Sequence, residues 1–197
     1  MKKLKIFNSF IVCIMMLLLT GCGAGLNKNV NSFLRPNVDI AYIKKVAVLP
    51  FTNHSSDKLA AVRARDIVIT QILSRHIFDV VDKSIVDSVL QEEAIEPGSP
   101  LDKAIIKRLG QRLNVQGLIL GTIDQAGYER NGMFSYPVIS LTLRLVDTRS
   151  GLVLWQASGY DSGYSLIKRL LGLAPADPYE VTLRLVDNLL DTIPLGK

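Results

Sequence analysis

Few residues of this 197-residue chain have the types and spacing that enzyme chemistry requires. His54 is followed directly by Ser55, Ser56 and Asp57. A catalytic triad needs an oriented base and a nucleophile beside an oxyanion hole, which neighbours within one turn seldom provide. His54 and His76 also lack the spacing of zinc-binding histidines. We therefore predict a polar loop with a helix cap at residues 54–57, no bound metal or cofactor, and no enzyme activity.

Two clusters of charged residues in the middle of the chain are predicted to be solvated. Three glutamates end one predicted helix, but a catalytic pair of carboxylates needs a cleft with two different environments. A basic face on the next helix could bind an anionic glycan or lipid, although such a face is more often the solvent-exposed side of an amphipathic helix. The clusters are Glu92, Glu93 and Glu96, and Lys103, Lys107, Arg108 and Arg112.

The most informative reactive group is the thiol of Cys22. Leu19, Thr20 and Gly21 precede it, at the end of an apolar run that starts at Phe10 and follows three lysines. The run is shorter than the roughly 20 apolar residues of a membrane-spanning helix. A basic head, an apolar middle and small residues near a cut are instead typical of an export signal. The pattern predicts a signal over residues 1–21, and the alternative is an ordinary secretory signal with an incidental cysteine.

The tetrad Leu19-Thr20-Gly21-Cys22 resembles the lipobox of bacterial lipoproteins. The resemblance implies cleavage before Cys22, diacylglycerol on its sulfur and an acyl group on its new amino terminus. The following residue is Gly23 rather than aspartate, which resembles the outer-membrane default of Gram-negative lipoproteins. The implied location is therefore the inner leaflet of the outer membrane, with the protein facing the periplasm. Because Cys13 leaves with the signal, the mature chain can form no internal disulfide.

The charge of the mature chain excludes nucleic acid as an expected partner. The full chain holds 23 Lys and Arg against 18 Asp and Glu, but three of the lysines lie in the predicted signal. The remainder holds 20 basic and 18 acidic residues, a net charge of +2. Such a balance does not indicate a basic nucleic-acid-binding protein.

The rest of the chain is predicted to be a flexible tether followed by one domain. Residues 22–42 contain glycine, asparagine and proline without a persistent period, and residues 43–197 suffice for one domain. The predicted element order is βαβααβββα, an α/β fold with an α+β tendency and a mixed sheet of about five strands. Residues 125–133 are expected to be a loop, and Trp155 to lie in the core.

Local patterns set the expected bounds of these elements. Strands are predicted at residues 46–51, 77–81, 115–123, 138–146 and 152–157, and helices at about 57–74, 84–92, 99–109 and 177–193. On the first helix, apolar residues lie near one face: Leu59, Val62, Ile69, Ile72 and Leu73. Ser99 is the expected cap of the third helix, ahead of Pro100.

Four segments together resemble the CsgG-like periplasmic lipoproteins. They are VAVLPFTN at 46–53, FDVVD at 78–82, LILGTI at 118–123 and LRLVDTRSGLVLW at 143–155. The related LpoB activators of penicillin-binding proteins and the TolB amino-terminal domain share the general fold. The resemblance implies a non-catalytic envelope protein. Secretion pores of the family add two long membrane hairpins, and the segments at 125–137 and 158–177 are too short for these.

Two segments are candidates for binding a partner. Residues 165–175 are unusually apolar for a surface segment, so Leu166, Ile167, Leu170 and Leu171 are expected to dock on a partner, to touch lipid head groups, or to fold over the sheet and close the core. The loop that holds Tyr128 and Phe134 is a second candidate. The leading hypothesis is a lipid-anchored adaptor in envelope assembly or secretion, and the alternatives are an LpoB-like activator and a ring-forming, homo-oligomeric subunit.

Overall fold

The computed structural model describes residues 29–194, which form a mixed sheet with helices packed on both faces. The strands are β1 Val30–Leu34, β2 Lys45–Val48, β3 Thr52–Asn53, β4 Asp79–Val80, β5 Gly117–Asn131, β6 Phe134–Asp147 and β7 Val153–Ser162. The helices are α1 Ala60–Ser74, α2 Lys83–Glu92, α3 Lys103–Leu113, α4 Leu166–Leu170 and α5 Pro178–Leu190. The predicted mixed α/β class is confirmed, with seven strands in place of about five.

The sheet joins a parallel half to an antiparallel half. Its strand order is β1-β7-β6-β5-β2-β4, and β3 pairs with β5 beyond the end of β2. β2 is parallel to β4 and β5, whereas the pairs β5–β6, β6–β7 and β7–β1 are antiparallel. β2 is short and, after Lys45, wholly apolar and buried, because helices cover both of its faces.

Part of the segment predicted to be a tether belongs to the sheet. β1 pairs antiparallel with β7, from Val30 opposite Gly159 to Leu34 opposite Trp155. Beyond the strand, the Arg35 side chain donates through Nε to the carbonyl oxygen of Val153 at 2.8 Å. The tether prediction is therefore wrong for residues 30–34. Asparagine and serine are weak strand formers, so the strand depends on the hydrogen bonds that β7 offers.

Residues 125–133 form a hairpin rather than the expected loop. β5 continues to Asn131, opposite Phe134 of β6, and Gly132 takes the positive φ of +63° that the turn needs. The hairpin projects beyond the helices, so most of its side chains meet solvent on both faces. It consequently lacks the apolar alternation by which half-buried strands are recognised.

Two apolar cores lie on opposite faces of the sheet. One lies beneath α1 and α5 and holds the fully buried Trp155, which confirms its predicted place in the core. The other lies beneath α2 and α3, with Leu109 and Leu118 fully buried. Three helices begin at aspartate caps: Asp82 caps α2, Asp102 caps α3 instead of the expected Ser99, and Asp177 caps α5.

Helix α1 packs three alanines, together with Ile67, Val68 and Ile72, against the sheet. Ala60, Ala64 and Ile72 are buried with their neighbours on this face, which lets the helix backbone approach the strands closely. The apolar residues expected near one face divide between core and solvent. Ile72 is buried, whereas Leu59, Val62 and Leu73 are exposed and Ile69 is half-buried.

Part of the acidic cluster forms ion pairs with part of the basic cluster, between α2 and α3. Arg108 contacts Glu93 at 2.6 Å, and Arg112 contacts Glu93 at 2.9 Å and also pairs with Glu92. Hydrogen bonds from Arg112 and then Arg108 hold the pKa of Glu93 below its usual range. The two clusters therefore join neighbouring helices.

Replacing Gly121 with alanine is expected to lower the free energy of unfolding by roughly 1–3 kcal/mol. A methyl group there would lie 2.5 Å from Cδ1 of the buried Phe51 ring. Urea unfolding would measure the cost. In a Phe51→Leu background the same substitution is expected to cost less, because the smaller side chain leaves room. An equal cost in both backgrounds would contradict this packing.

Candidate interaction surfaces

The side chains that could do chemistry remain dispersed. His54 and His76 are both exposed, and the backbone N–H of His54 donates to the carbonyl oxygen of Ile123 at 2.9 Å. Among residues 29–194, no group of three or more His, Cys, Asp or Glu side chains is placed to hold a metal ion. The features with a distinctive arrangement are instead two exposed apolar surfaces.

The first surface joins the tip of the β5–β6 hairpin to α4. The Arg169 guanidinium lies 4.8 Å from the Phe134 ring centroid and donates through Nη1 to the Tyr164 hydroxyl at 3.2 Å. The ring centroids of Tyr136 and Tyr164 are 5.2 Å apart. These contacts hold α4 against the hairpin, although the two segments are about 30 residues apart in sequence.

Exposed apolar side chains surround this contact. Leu170 is 84% exposed and Met133 is 99% exposed. We call this set the end surface: Met133, Phe134, Leu166, Leu170, Leu171 and Leu173. The sequence-based candidates Phe134, Leu166, Leu170 and Leu171 thus come together, and these leucines do not close the core. The side chain of Ile167 lies outside the part of the chain that the structure describes.

Tyr128 belongs to a different surface. Tyr128 pairs with Pro137 of β6, and Pro137 is three residues from Phe134 on that strand. Since side chains alternate along a strand, Tyr128 and Phe134 face opposite sides of the hairpin. Tyr128 lines a crevice with Asp57 and Arg63, and Arg63 also lines a groove of about 490 Å³ between α1 and α5. The loop that was expected to present Tyr128 and Phe134 together therefore separates them.

The groove between α1 and α5 is edged by large exposed side chains. Leu59 is 66% exposed, Val62 57% and Tyr179 54%. Leu59 and Val62 are three residues apart, which places them on one face of α1. We call Leu59, Val62, Tyr128 and Tyr179 the groove surface. The sequence pattern grouped Leu59 with Val62, but the tertiary structure was needed to show that both point away from the sheet.

An ion pair borders the groove surface. Arg63 Nη2 lies 2.5 Å from Asp57 Oδ2, and the backbone N–H of Leu59 donates to Asp57 Oδ1 at 3.0 Å. The hydrogen bond from Arg63 holds the pKa of Asp57 below its ordinary value. Asp57 is therefore ionised at neutral pH, and the pair fixes the start of α1 beside Tyr128.

Comparison with protein-family models shows to which family this chain belongs. Residues 40–174, more than half of the chain, match the model described as "Putative lipoprotein GNA1162-like". The chain belongs to this GNA1162-like lipoprotein family. Membership supports a lipid-anchored protein of the bacterial envelope, as the lipobox-like tetrad predicts, although that tetrad lies outside the described residues. The CsgG-like label finds no support.

Solved structures share the fold of this GNA1162-like protein at low sequence identity. The PelC dodecamer from Paraburkholderia phytofirmans is 20% identical, covers 82% of this chain and 95% of its own, and has a TM-score of 0.56. Lipoprotein GNA1162 from Neisseria meningitidis is 18% identical, covers 76% and 97%, and has a TM-score of 0.55. These similarities establish a common fold.

Two other comparisons add little. The C-terminal domain of LpoB from Escherichia coli is 14% identical, covers 59% of this chain and 81% of its own, and has a TM-score of 0.45, too low to support an inference. No curated protein matches the chain. Between residues 29 and 194, no helix is long and apolar enough to cross a membrane.

Proposed function

We propose that this GNA1162-like protein is a non-enzymatic assembly component of the bacterial envelope. It is held at the inner leaflet of the outer membrane by lipid on Cys22, and it docks a second protein on the groove surface. The observation that carries the docking role is the apolar character of α1 on two sides. One side packs on the sheet, and the other presents Leu59 and Val62 to solvent.

A helix that is apolar on opposite sides is expected to be buried on both. The sheet and α5 leave Leu59 and Val62 of α1 exposed, and a partner protein is the cover that we propose for them. Tyr128 and Tyr179 flank the exposed leucine and valine, and tyrosine is enriched among residues that dominate binding energy at protein interfaces. The Arg63–Asp57 pair adds a polar border, as at typical interfaces. The chemistry thus favours an apolar protein surface as the occupant.

Photocrosslinking in cells tests the docking role. A photoreactive phenylalanine in place of Tyr179 is expected to capture an envelope protein, and the same group in place of the exposed Lys107 on α3 is not. Val62→Glu is expected to weaken capture at least about tenfold, because burying an unpaired carboxylate costs well over 1.4 kcal/mol. Ala104→Glu makes the same charge change on exposed α3 and is the matched control.

The pattern of capture shows whether the groove surface is the docking site and which kind of protein docks there. Equal capture from positions 179 and 107, or capture insensitive to Val62→Glu, would show that the groove surface is not the docking site. Capture of a peptidoglycan synthase would favour the LpoB-like activator over a secretion or assembly adaptor. The identity of the captured protein therefore names the pathway.

A ring-forming subunit is the second candidate function. Its support is the fold shared with PelC, which was solved as a dodecamer. β1 is an edge strand whose outer backbone groups could pair with another chain. Native mass spectrometry of the mature protein would then show a discrete oligomer rather than a monomer. If Val62→Glu makes that oligomer dissociate, the second protein on the groove surface is another copy of this chain.

A further inference from the structure

The first strand brings the site of lipid attachment close to the end surface. β1 is antiparallel to β7, so moving back from Leu34 to Val30 advances along β7 from Trp155 to Gly159. β7 continues in that direction to Ser162, and α4 follows it. The backbone therefore leaves β1 towards the end of the sheet that carries the hairpin tip and α4.

The length of chain before β1 limits how far the domain can stand from the bilayer. Cys22 and Val30 are eight residues apart, and even a fully extended chain of that length spans no more than roughly 28 Å. Val30 pairs with Gly159 of β7, and Gly159 pairs on its other side with Leu141 of β6, so the three residues lie at the same height in the sheet. From Leu141 to Phe134 the hairpin projects a further seven residues, about 23 Å.

The two lengths are similar, so the end surface is within reach of the plane in which the lipid of Cys22 would sit. The opposite end of the sheet, at the turn that holds Leu152, lies away from the direction in which the chain leaves β1. Of the two ends, the one towards the anchor is thus the end that carries the exposed leucines of α4.

The side chains of the end surface suit a bilayer interface. Leu166 and Leu170 lie four residues apart on one side of α4, and Gly172, with a φ of +66°, turns the chain beside them. Lys168 and Arg169 supply cations next to these leucines, and Arg169 stacks on Phe134. Leucine and aromatic side chains beside lysine and arginine are typical of segments that lie in the headgroup region.

We propose that the end surface rests on the bilayer that holds the lipid of Cys22, with the leucines of α4 and Met133 inserted among the head groups. This inference depends on the proposed lipid anchor and adds the orientation of the domain. The occupant of the end surface is the lipid surface itself rather than the docked partner.

Depth-dependent quenching of a fluorescent label tests this orientation. The lipidated protein is reconstituted into vesicles of phosphatidylethanolamine and phosphatidylglycerol that contain a lipid-borne quencher. Because Cys22 is blocked by its lipid and Cys13 has been removed, Leu170→Cys or Met133→Cys provides a single free thiol for an environment-sensitive label. Leu152→Cys is the matched control, since Leu152 is also an exposed apolar residue but lies at the opposite end of the sheet.

The labels at 170 and 133 are expected to lie roughly 5–10 Å within the headgroup boundary and to be quenched. The label at 152 is expected to stay unquenched. Protein that floats with the vesicles but shows no quenching at 170 and 133, or equal quenching at 152, overturns the orientation while leaving the anchor intact. Protein that does not float with the vesicles overturns the anchor and the orientation together.

Discussion

Replacing Cys22 with serine is expected to release the protein from the membrane fraction into the soluble fraction. A serine hydroxyl lacks the thiol to which the lipobox resemblance assigns diacylglycerol. Two or more acyl chains give stable anchoring, whereas a single chain binds only marginally. Membrane flotation and the mass of the amino-terminal peptide would measure the loss. The effect is expected to be nearly complete.

Cys13→Ser is the matched control for this experiment. Cys13 lies in the apolar run of the predicted signal, so its substitution is expected to leave cleavage, lipid attachment and flotation unchanged. A Cys22→Ser protein that matures and floats like the wild type would show that the anchor is not at Cys22. The proposed function and the orientation of the end surface would then both fail.

Replacing Trp155 with alanine is expected to destabilise the domain by roughly 3–5 kcal/mol. The indole is fully buried between β7 and α5, and its Nε1 donates to Thr192 Oγ1 at 2.9 Å. A small side chain would leave a cavity and remove this link to the end of α5. Since a typical domain is stable by only about 5–15 kcal/mol, the variant is expected to be close to unfolding. Urea denaturation monitored by circular dichroism would measure the loss.

Two control variants show that the loss comes from removing the buried indole. Thr192→Ser keeps the hydroxyl that accepts from Trp155 and is expected to change stability little. Leu152→Ala removes an apolar side chain from the surface, where Leu152 is half exposed, and is expected to cost far less than the core substitution. A Trp155→Ala variant no less stable than Leu152→Ala would contradict the position assigned to the indole.

The central strands could be predicted because their own residues carry the signal. β2 is a short apolar run, and much of β6 alternates between apolar and polar side chains. These patterns are local, since a strand covered on one or both faces must be apolar on those faces. β1 has no such pattern. Its five residues are ordered by backbone pairing with β7, more than 120 positions away in sequence.

Helix α1 shows what a local apolar period predicts about a helix and what it leaves undetermined. The spacing grouped Leu59, Val62, Ile69, Ile72 and Leu73 near one face, but Ile72 lies in the core while Leu59, Val62 and Leu73 are exposed. The face that meets the sheet holds alanines together with Ile67, Val68 and Ile72, whereas Leu59, Val62 and Leu73 remain on the exposed side. That choice depends on the shape of the sheet and the position of α5.

The sequence by itself determined the features that a linear motif or a local period encodes. These are the lipobox-like tetrad at Cys22, the α/β class and the burial of Trp155. Only the tertiary structure decided that Phe134 and Leu170 share one surface, that Tyr128 lies on another, and that β1 shortens the tether. These arrangements arise from contacts between segments that are distant in the chain, and neither composition nor periodicity records which distant segments will meet.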